Sequence, residues 1–458
     1  MDILIIGAGP TGLGAAWRID EYGYSDWRLC EAYRSAGGLA GSVTDSHGFV
    51  WDFGGHVEFS HYEYFDRLMD DLLEPEDWLH HQRQAWVWLR GRFVPYPFQL
   101  NLHRLPDEER DFCLAGLQAH QSTDVPPVHF GEWIERCFGT GIATVFLRPY
   151  NLKVWGYPLE QMAWSWISDR VAVVEIDRVL DSINSDHDNN NWGPNRRFRY
   201  PRKGGTGIVW RTLAERLAQR HPGRLCMERR LLRLDTANHL AQFRNGDTIC
   251  YQRLLSTIPL DALVRSSDLA SALESDITDL KHSSTHIIGI GLYGRPTEQL
   301  CGKSWIYFSE DNCPFYRVTV FSHYSPGNVP DPQHYWSLLA EVTESPYKIV
   351  DRMRVAEETV QGLLNTGLVL DHSSIHHVWH HRLEYGYPIP SLSRDQALSR
   401  ILPVLESRDI YSRGRFGAWK YEVSNQDHSF AQGVELVERW FDDNPETTLN
   451  HPEIINAR

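Results

Sequence analysis

Three glycine signatures crowd into the first 60 residues: GAGPTG at Gly7–Gly12, GGLAGS at Gly37–Ser42 and WDFGGH at Trp51–His56. The first follows Ile3-Leu4-Ile5-Ile6, an apolar run of the kind that a strand buried on both faces requires. A strand that feeds G-x-G-x-x-G into a helix builds a nucleotide-binding βαβ unit. Gly7 makes the tight turn, Gly9 lets backbone approach a pyrophosphate, and Gly12 lets the helix pack on the strand. Pro10 suits the first helical turn, and Thr11 follows it. The second strand, at 27–30, ends on Glu31, an acid about 20 residues past the motif that suits a free ribose 2′-hydroxyl.

The later signatures favour FAD over NAD. Gly37-Gly38-Leu39 and Gly54-Gly55-His56 are further places where glycine admits close backbone approach, as a larger cofactor demands. The fold expected is therefore α/β, with a Rossmann-like FAD-binding domain. Around it the patterns alternate. Residues 84–94 read as a hairpin turning at Arg90-Gly91, 106–185 as helical, 225–258 as a strand meander turning at Asn245-Gly246, and the stretch past His286 as alternating strands. A helix at about 352–365 interrupts those strands, and a last helix at about 429–441 closes the chain. The expected division is a discontinuous FAD-binding domain (1–82, 200–280 and 422–458), a helical insert domain (104–190), and an antiparallel β-sheet substrate domain (83–103 and 281–421).

Composition excludes other classes. There are 45 Lys and Arg against 60 Asp and Glu, a net charge of −15, which argues against nucleic acid or an anionic membrane as partner. No apolar run approaches the roughly 18 residues of a membrane span. The seven cysteines form no CxxC, which points to a reducing compartment and no zinc. The chain opens on a strand without a charged leader, so a cytoplasmic location is expected. His376, His377, His380 and His381 have spacing that holds zinc on a helix, but Val378 and Trp379 make the segment read as strand, and no metal site is expected.

Longer stretches carry a specific resemblance: GAGPTGLGAA, GGHVEFSHYEYFD, VPYPFQ, GTGIATVFLRPYNLKVW, NWGPN, KGGTG, EDNCPFYR, GYPIP and GRFGAWKYEVSNQDHS. In these, and in register along nearly its whole length, the chain resembles the UDP-galactopyranose mutases, in their eukaryotic-type branch. The resemblance implies an isomerase that interconverts UDP-galactopyranose and UDP-galactofuranose with no net redox change. In that family the flavin must be reduced, and its N5 forms a covalent adduct with the sugar while UDP departs and returns. NADPH or NADH is the implied reductant, a UDP-sugar the substrate partner, and self-association is implied without a defined size.

The resemblance also assigns residues. Arg170 and Arg317 match the arginines that hold the diphosphate, a task for which a guanidinium fork is suited. Tyr307, Tyr387 and Tyr421 match further diphosphate donors. Tyr96, Phe98 and Gln99 would receive uridine, and Asn151, Trp155 and Asn195 would line the substrate cleft. His56 would sit against the flavin ring, with His61 in the same loop, while Gly414, Arg415, Asn425 and Gln426 would close over the cofactor from the other side. The alternatives are an amine-oxidase-like FAD oxidoreductase, a mutase acting on a different nucleotide sugar, or a non-catalytic flavin or nucleotide-sugar binder.

Overall fold

The structure is a computed structural model, and it describes residues 1–119, 125–167, 171–173, 175–189 and 193–457. At its base is a five-stranded parallel sheet in the order Ile410–Ser412, Arg253–Ser256, Ile3–Ile6, Trp27–Cys30, Leu225–Cys226. The Ile3–Ile6 run is central, and its alternation serves both faces. Ile3 and Ile5 pack with Leu29 and Leu255 against the helices Pro10–Glu21, Gly207–Arg220 and Gln426–Asp442. Leu4 and Ile6 pack on the opposite side, with Leu254 and Ile410, against the helices Leu260–Arg265, Ala270–Asp279 and Arg394–Glu406. Helices on both faces are what make a continuous apolar strand stable.

The second layer is a seven-stranded sheet in the order Ile375–Pro388, His282–Tyr293, Tyr335–Glu344, Arg317–Thr319, Trp305–Phe308, Ala85–Leu89, Arg92–Pro95. Its pairings are antiparallel except one: Trp305–Phe308 runs parallel to Ala85–Leu89. The sheet is the antiparallel one expected, and its one parallel seam lies where a hairpin from early in the chain is added to strands from late in it. One face packs Ile288, Ile290, Leu338 and Ala340 against the helix Val355–Asn365. The other carries Ile287, Leu339 and Trp305.

The helices Asp107–Gln118, Phe130–Ile142, Arg148–Trp155 and Ile176–Ser185 form a third body, and all four contribute apolar side chains to one core with Phe98, Leu100 and Leu102. The sequence expectation puts residues through 421 with the antiparallel sheet, and this is too late a boundary. The helix Arg394–Glu406 buries Leu398 and Ile401 on the parallel sheet, and Ile410–Ser412 is its edge strand. The histidine run at 376–381 lies in the strand Ile375–Pro388, as Val378 and Trp379 between its two pairs suggested.

Candidate active site

Between the two sheets lies one connected cavity of about 1350 Å³. Single-ligand pockets run to roughly 300–1,000 Å³, so this one has room for more than one molecule. Its lining joins the glycine signatures to the arginines and tyrosines named above: Gly7, Gly9, Pro10, Thr11, Glu31, Gly38, Leu39, Gly54, Gly55, His56 and His61 on one side; Tyr96, Asn195, Tyr307, Arg317, Tyr387 and Tyr421 on the other; and Gly414, Arg415, Asn425 and Gln426 between.

The glycine wall fits a dinucleotide. Gly9 has an extended backbone that any residue could adopt. A Cβ placed on it would meet no atom closer than the Gly38 Cα at 4.0 Å, so the fold itself does not require glycine there. The space it leaves faces the helix Pro10–Glu21, whose N-terminus has no side-chain cap and no acid in its first turn. Uncapped N–H groups at the positive end of a helix suit a pyrophosphate. Gly12 answers a packing demand instead: a Cβ on it would fall 1.9 Å from the Gly7 carbonyl oxygen. Gly37 likewise lies outside the lining, in left-handed backbone at φ 119°, where it turns the chain toward Gly38. Glu31 is buried, with one carboxylate oxygen accepting the Ala8 N–H at 2.7 Å and the other the Tyr33 N–H at 2.9 Å. Each oxygen keeps acceptor capacity for a ribose hydroxyl.

A second uncapped helix, Gln426–Asp442, brings Asn425 and Gln426 to the cavity. Gln426 is fixed from both ends of its amide: it accepts from Trp210 Nε1 at 2.7 Å and donates to Glu58 at 2.9 Å. His61 pairs through Nδ1 with Asp427 at 2.7 Å, and its ring stacks on His428 at 4.7 Å. Burial raises the Asp427 carboxyl, but His428 and His61 outweigh it and bring the group below its usual value. Burial pushes the His56 imidazole down to about 4, so it is neutral near pH 7, and its buried Nδ1 has no hydrogen-bond partner among the described residues. That position is one a bound ring or substrate can complete.

The far chamber is cationic and aromatic. Arg317 donates Nε and Nη2 to Glu341, at 2.8 Å each, leaving Nη1 without a protein hydrogen bond among the described residues. Glu341 also accepts the Gly55 N–H at 3.0 Å and the Tyr316 hydroxyl at 2.6 Å. Burial pushes the Glu341 carboxyl up, yet the Arg317 charge and these bonds hold it below the usual range. Arg415 lies 5.1 Å over the Tyr387 ring and 5.8 Å from that of Tyr421, and bonds Ser424 Oγ at 2.9 Å and the Gly386 carbonyl at 3.1 Å. Tyr96 meets Tyr307 edge to face at 5.1 Å, and Trp305 Nε1 donates to the Tyr307 hydroxyl at 2.5 Å. Burial raises the Tyr96, Tyr307 and Tyr387 hydroxyls above the ordinary phenol value, which keeps them protonated and able to donate.

Several expected residues are elsewhere. Arg170 lies outside the described residues. Phe98 is fully buried and stacks on Phe146 at 4.8 Å, and Gln99 is buried with its amide nitrogen on the Ala172 carbonyl; neither lines the cavity. Asn151 spends its amide on the Leu147 carbonyl of its own helical run, at 2.8 Å. Trp155 is buried behind the wall, edge to face with Tyr421 at 4.8 Å and Tyr387 at 5.7 Å, so it backs two lining tyrosines instead of lining the cleft itself. Conversely, Arg83, Tyr316 and Glu341 line the cavity and were not singled out from the sequence. Arg83 is buried, donates to Asn195 Oδ1 and lies 5.9 Å from the Tyr96 ring. Glu341 had a signal: an acid between Ala340 and Val342 in an apolar strand must be paired if it is buried.

A Rossmann-type sheet whose glycine wall opens onto an arginine- and tyrosine-lined chamber is the architecture of a dinucleotide-binding enzyme with room for a second ligand. Residues 5–72 match the NAD(P)-binding Rossmann-like domain family. A crystal structure of reduced UDP-galactopyranose mutase superposes with a TM-score of 0.95 and 44% identity, over 100% of this chain and 97% of that one. The chain belongs to the UDP-galactopyranose mutase family. More distant structures share the fold alone. One is a protein from Exiguobacterium sp. 255-15 described as a protoporphyrinogen oxidase (TM-score 0.70, 17% identity, 97% of this chain and 99% of that). Another is a fatty acid isomerase from P. acnes that produces CLA (TM-score 0.64, 14% identity, 96% and 98%).

Proposed function

We propose that the protein is an FAD-dependent UDP-galactopyranose mutase, an isomerase that interconverts UDP-galactopyranose and UDP-galactofuranose without net oxidation. The observation that carries this reading is the full-length match to a mutase, with the arginine–tyrosine chamber opening directly onto the dinucleotide wall. Reduced FAD, when bound, supplies the nucleophile for the anomeric carbon of the sugar. The chain's own residues carry the remaining tasks. The two helix N-termini and Glu31 hold the cofactor. Nη1 of Arg317 grips diphosphate oxygens and bears their charge as the glycosidic bond breaks, with Arg170 proposed as its counterpart. Tyr307, Tyr387 and Tyr421 add hydroxyl donors, Tyr96 offers a ring face to uracil, and Arg83 orients Asn195 beside it.

The reductant is proposed to be NADPH or NADH entering through the same chamber, where Arg83, Arg317 and Arg415 suit its phosphates. No helix among the described residues is long and apolar enough to cross a membrane. Seven unpaired cysteines support a cytoplasmic location.

The test is to incubate dithionite-reduced and oxidised protein separately with UDP-galactofuranose and to resolve the sugar nucleotides by chromatography. Conversion by the reduced protein alone is expected. Equal rates in both states, or no conversion by flavin-loaded reduced protein, would overturn the proposal. Oxygen consumption with an amine substrate would mark an oxidase instead.

A further inference from the structure

A group of metal-ligating side chains stands away from the cavity, where an early hairpin rests on the edge strand Ile375–Pro388. Asp45 opens the turn that joins the hairpin strands Ser42–Thr44 and Val50–Asp52. Its Oδ1 accepts the backbone N–H groups of His47 at 2.8 Å and Phe49 at 3.1 Å, so the turn itself orients the carboxylate. Oδ2 accepts from Trp51 Nε1 at 2.7 Å and lies 3.3 Å from His377 Nε2. The His47 ring stacks on that of His377 with centroids 3.9 Å apart. One ligand atom from each of the three lies within 4.8 Å of the others. The neighbouring His376 is engaged through Nδ1 with the Tyr293 hydroxyl at 2.7 Å.

We propose that Asp45, His47 and His377 form a surface site for a divalent transition-metal ion of the zinc class, with water completing the coordination. Four-coordinate zinc with bonds of about 2.0–2.1 Å places its ligands roughly 3.3 Å apart, so the cluster has to contract modestly. The exposed His47 is the member able to swing. Two imidazoles and one carboxylate suit zinc, copper or nickel, whereas calcium and magnesium require more oxygens than this site offers. The Trp51 N–H holds the carboxylate in place from behind, as outer groups do in established metal sites. The helical i, i+4 pairing of 376–381 does not exist on a strand; the partners come from the hairpin instead. An ion here would fasten that hairpin, which leads directly into the cavity loop at 53–56, to the sheet.

The experiment titrates untagged, flavin-loaded, chelator-stripped protein with Zn²⁺ by calorimetry and with Co²⁺ by visible absorption. One equivalent is expected, with the Co²⁺ band of a four-coordinate site. His47→Ala and His377→Asn should each weaken binding at least about tenfold. His334→Ala, which removes an exposed His–Asp pair elsewhere, should leave it unchanged. Absent binding, several weak equivalents, or full-affinity binding retained in His47→Ala would each overturn the site. Should His377→Asn fail to fold, His47→Ala on the exposed turn decides the question alone.

Discussion

Replacing Arg317 should have two effects that a double variant can separate. Glu341 is 2% exposed and receives two of its four hydrogen bonds from Arg317, at 2.8 Å each. Arg317→Met leaves this carboxylate with the Gly55 N–H and the Tyr316 hydroxyl but no cation. Removing one partner of a buried ion pair costs about 3–5 kcal/mol. Glu341→Gln in the same chain removes the stranded charge yet keeps a carbonyl for Gly55, so the double variant should recover most of that loss. Turnover should not follow. If Arg317 holds the diphosphate, both variants should lose roughly 100-fold or more in conversion of UDP-galactofuranose, the scale for deleting one donor to developing negative charge. The assay pairs unfolding monitored by flavin fluorescence with the chromatographic turnover measurement. A double variant no more stable than Arg317→Met would show that Glu341 is not a carboxylate compensated by this arginine. A double variant with restored turnover would remove Arg317 from the diphosphate site.

Other consequences can be checked independently. Gly9→Val should fold with near-normal secondary structure but copurify with little flavin, because its side chain projects into space that protein atoms leave open; full flavin content would contradict the cofactor assignment. His56 has an ordinary pKa of 6.5 and is held at about 4 in the native chain. The unfolded chain therefore takes up a proton that the native chain refuses, so stability falls as pH drops from 6.5 to 4, by up to about 3 kcal/mol. His56→Gln should flatten the thermal midpoint over that window, and an unchanged slope would refute the burial argument. Burial raises the Glu58 carboxyl from 4.5 to about 8, and its Oε2 has no hydrogen-bond partner among the described residues. Its unfolded form ionises first, so stability is lost as pH rises from 4.5 to 8. Glu58→Gln should raise the thermal midpoint at pH 8 and leave it nearly unchanged at pH 4.5; equal effects at both would show that the acid is ionised in the native chain.

What could be read from the sequence follows the distance over which each feature is specified. The strand, turn and helix of residues 3–21 are determined locally, by four apolar residues and a glycine motif, and they form where that pattern puts them. The helix Arg394–Glu406 escaped notice because Pro403 sits within it; its reason to exist is the apolar face it presents to a distant sheet. Phe98, Gln99 and Trp155 show a related limit. A matching motif carries a residue's identity, but whether it faces the cavity or supports a neighbour that does depends on packing. Trp155 stands behind Tyr421 and Tyr387, so its influence on the cleft passes through their rings.

Glu341 is the clearest case of a residue that matters through pairing alone. It sits opposite Arg317 in adjacent antiparallel strands, a register set by the whole seven-stranded sheet. One of its oxygens accepts from both Arg317 Nε and the Gly55 backbone. Gly55 belongs to the third glycine signature and Arg317 to the anion chamber, so a single carboxylate oxygen bonds the cofactor wall to the substrate wall. The contact ties the two sides together: a movement of the loop at 54–56 that breaks the Gly55 bond leaves the acceptor to the arginine, and a displacement of Arg317 takes one donor from the oxygen that holds the loop. The glycine motifs announce a cofactor and the arginine an anion, but the atom joining them lies in a strand that advertises only its hydrophobicity.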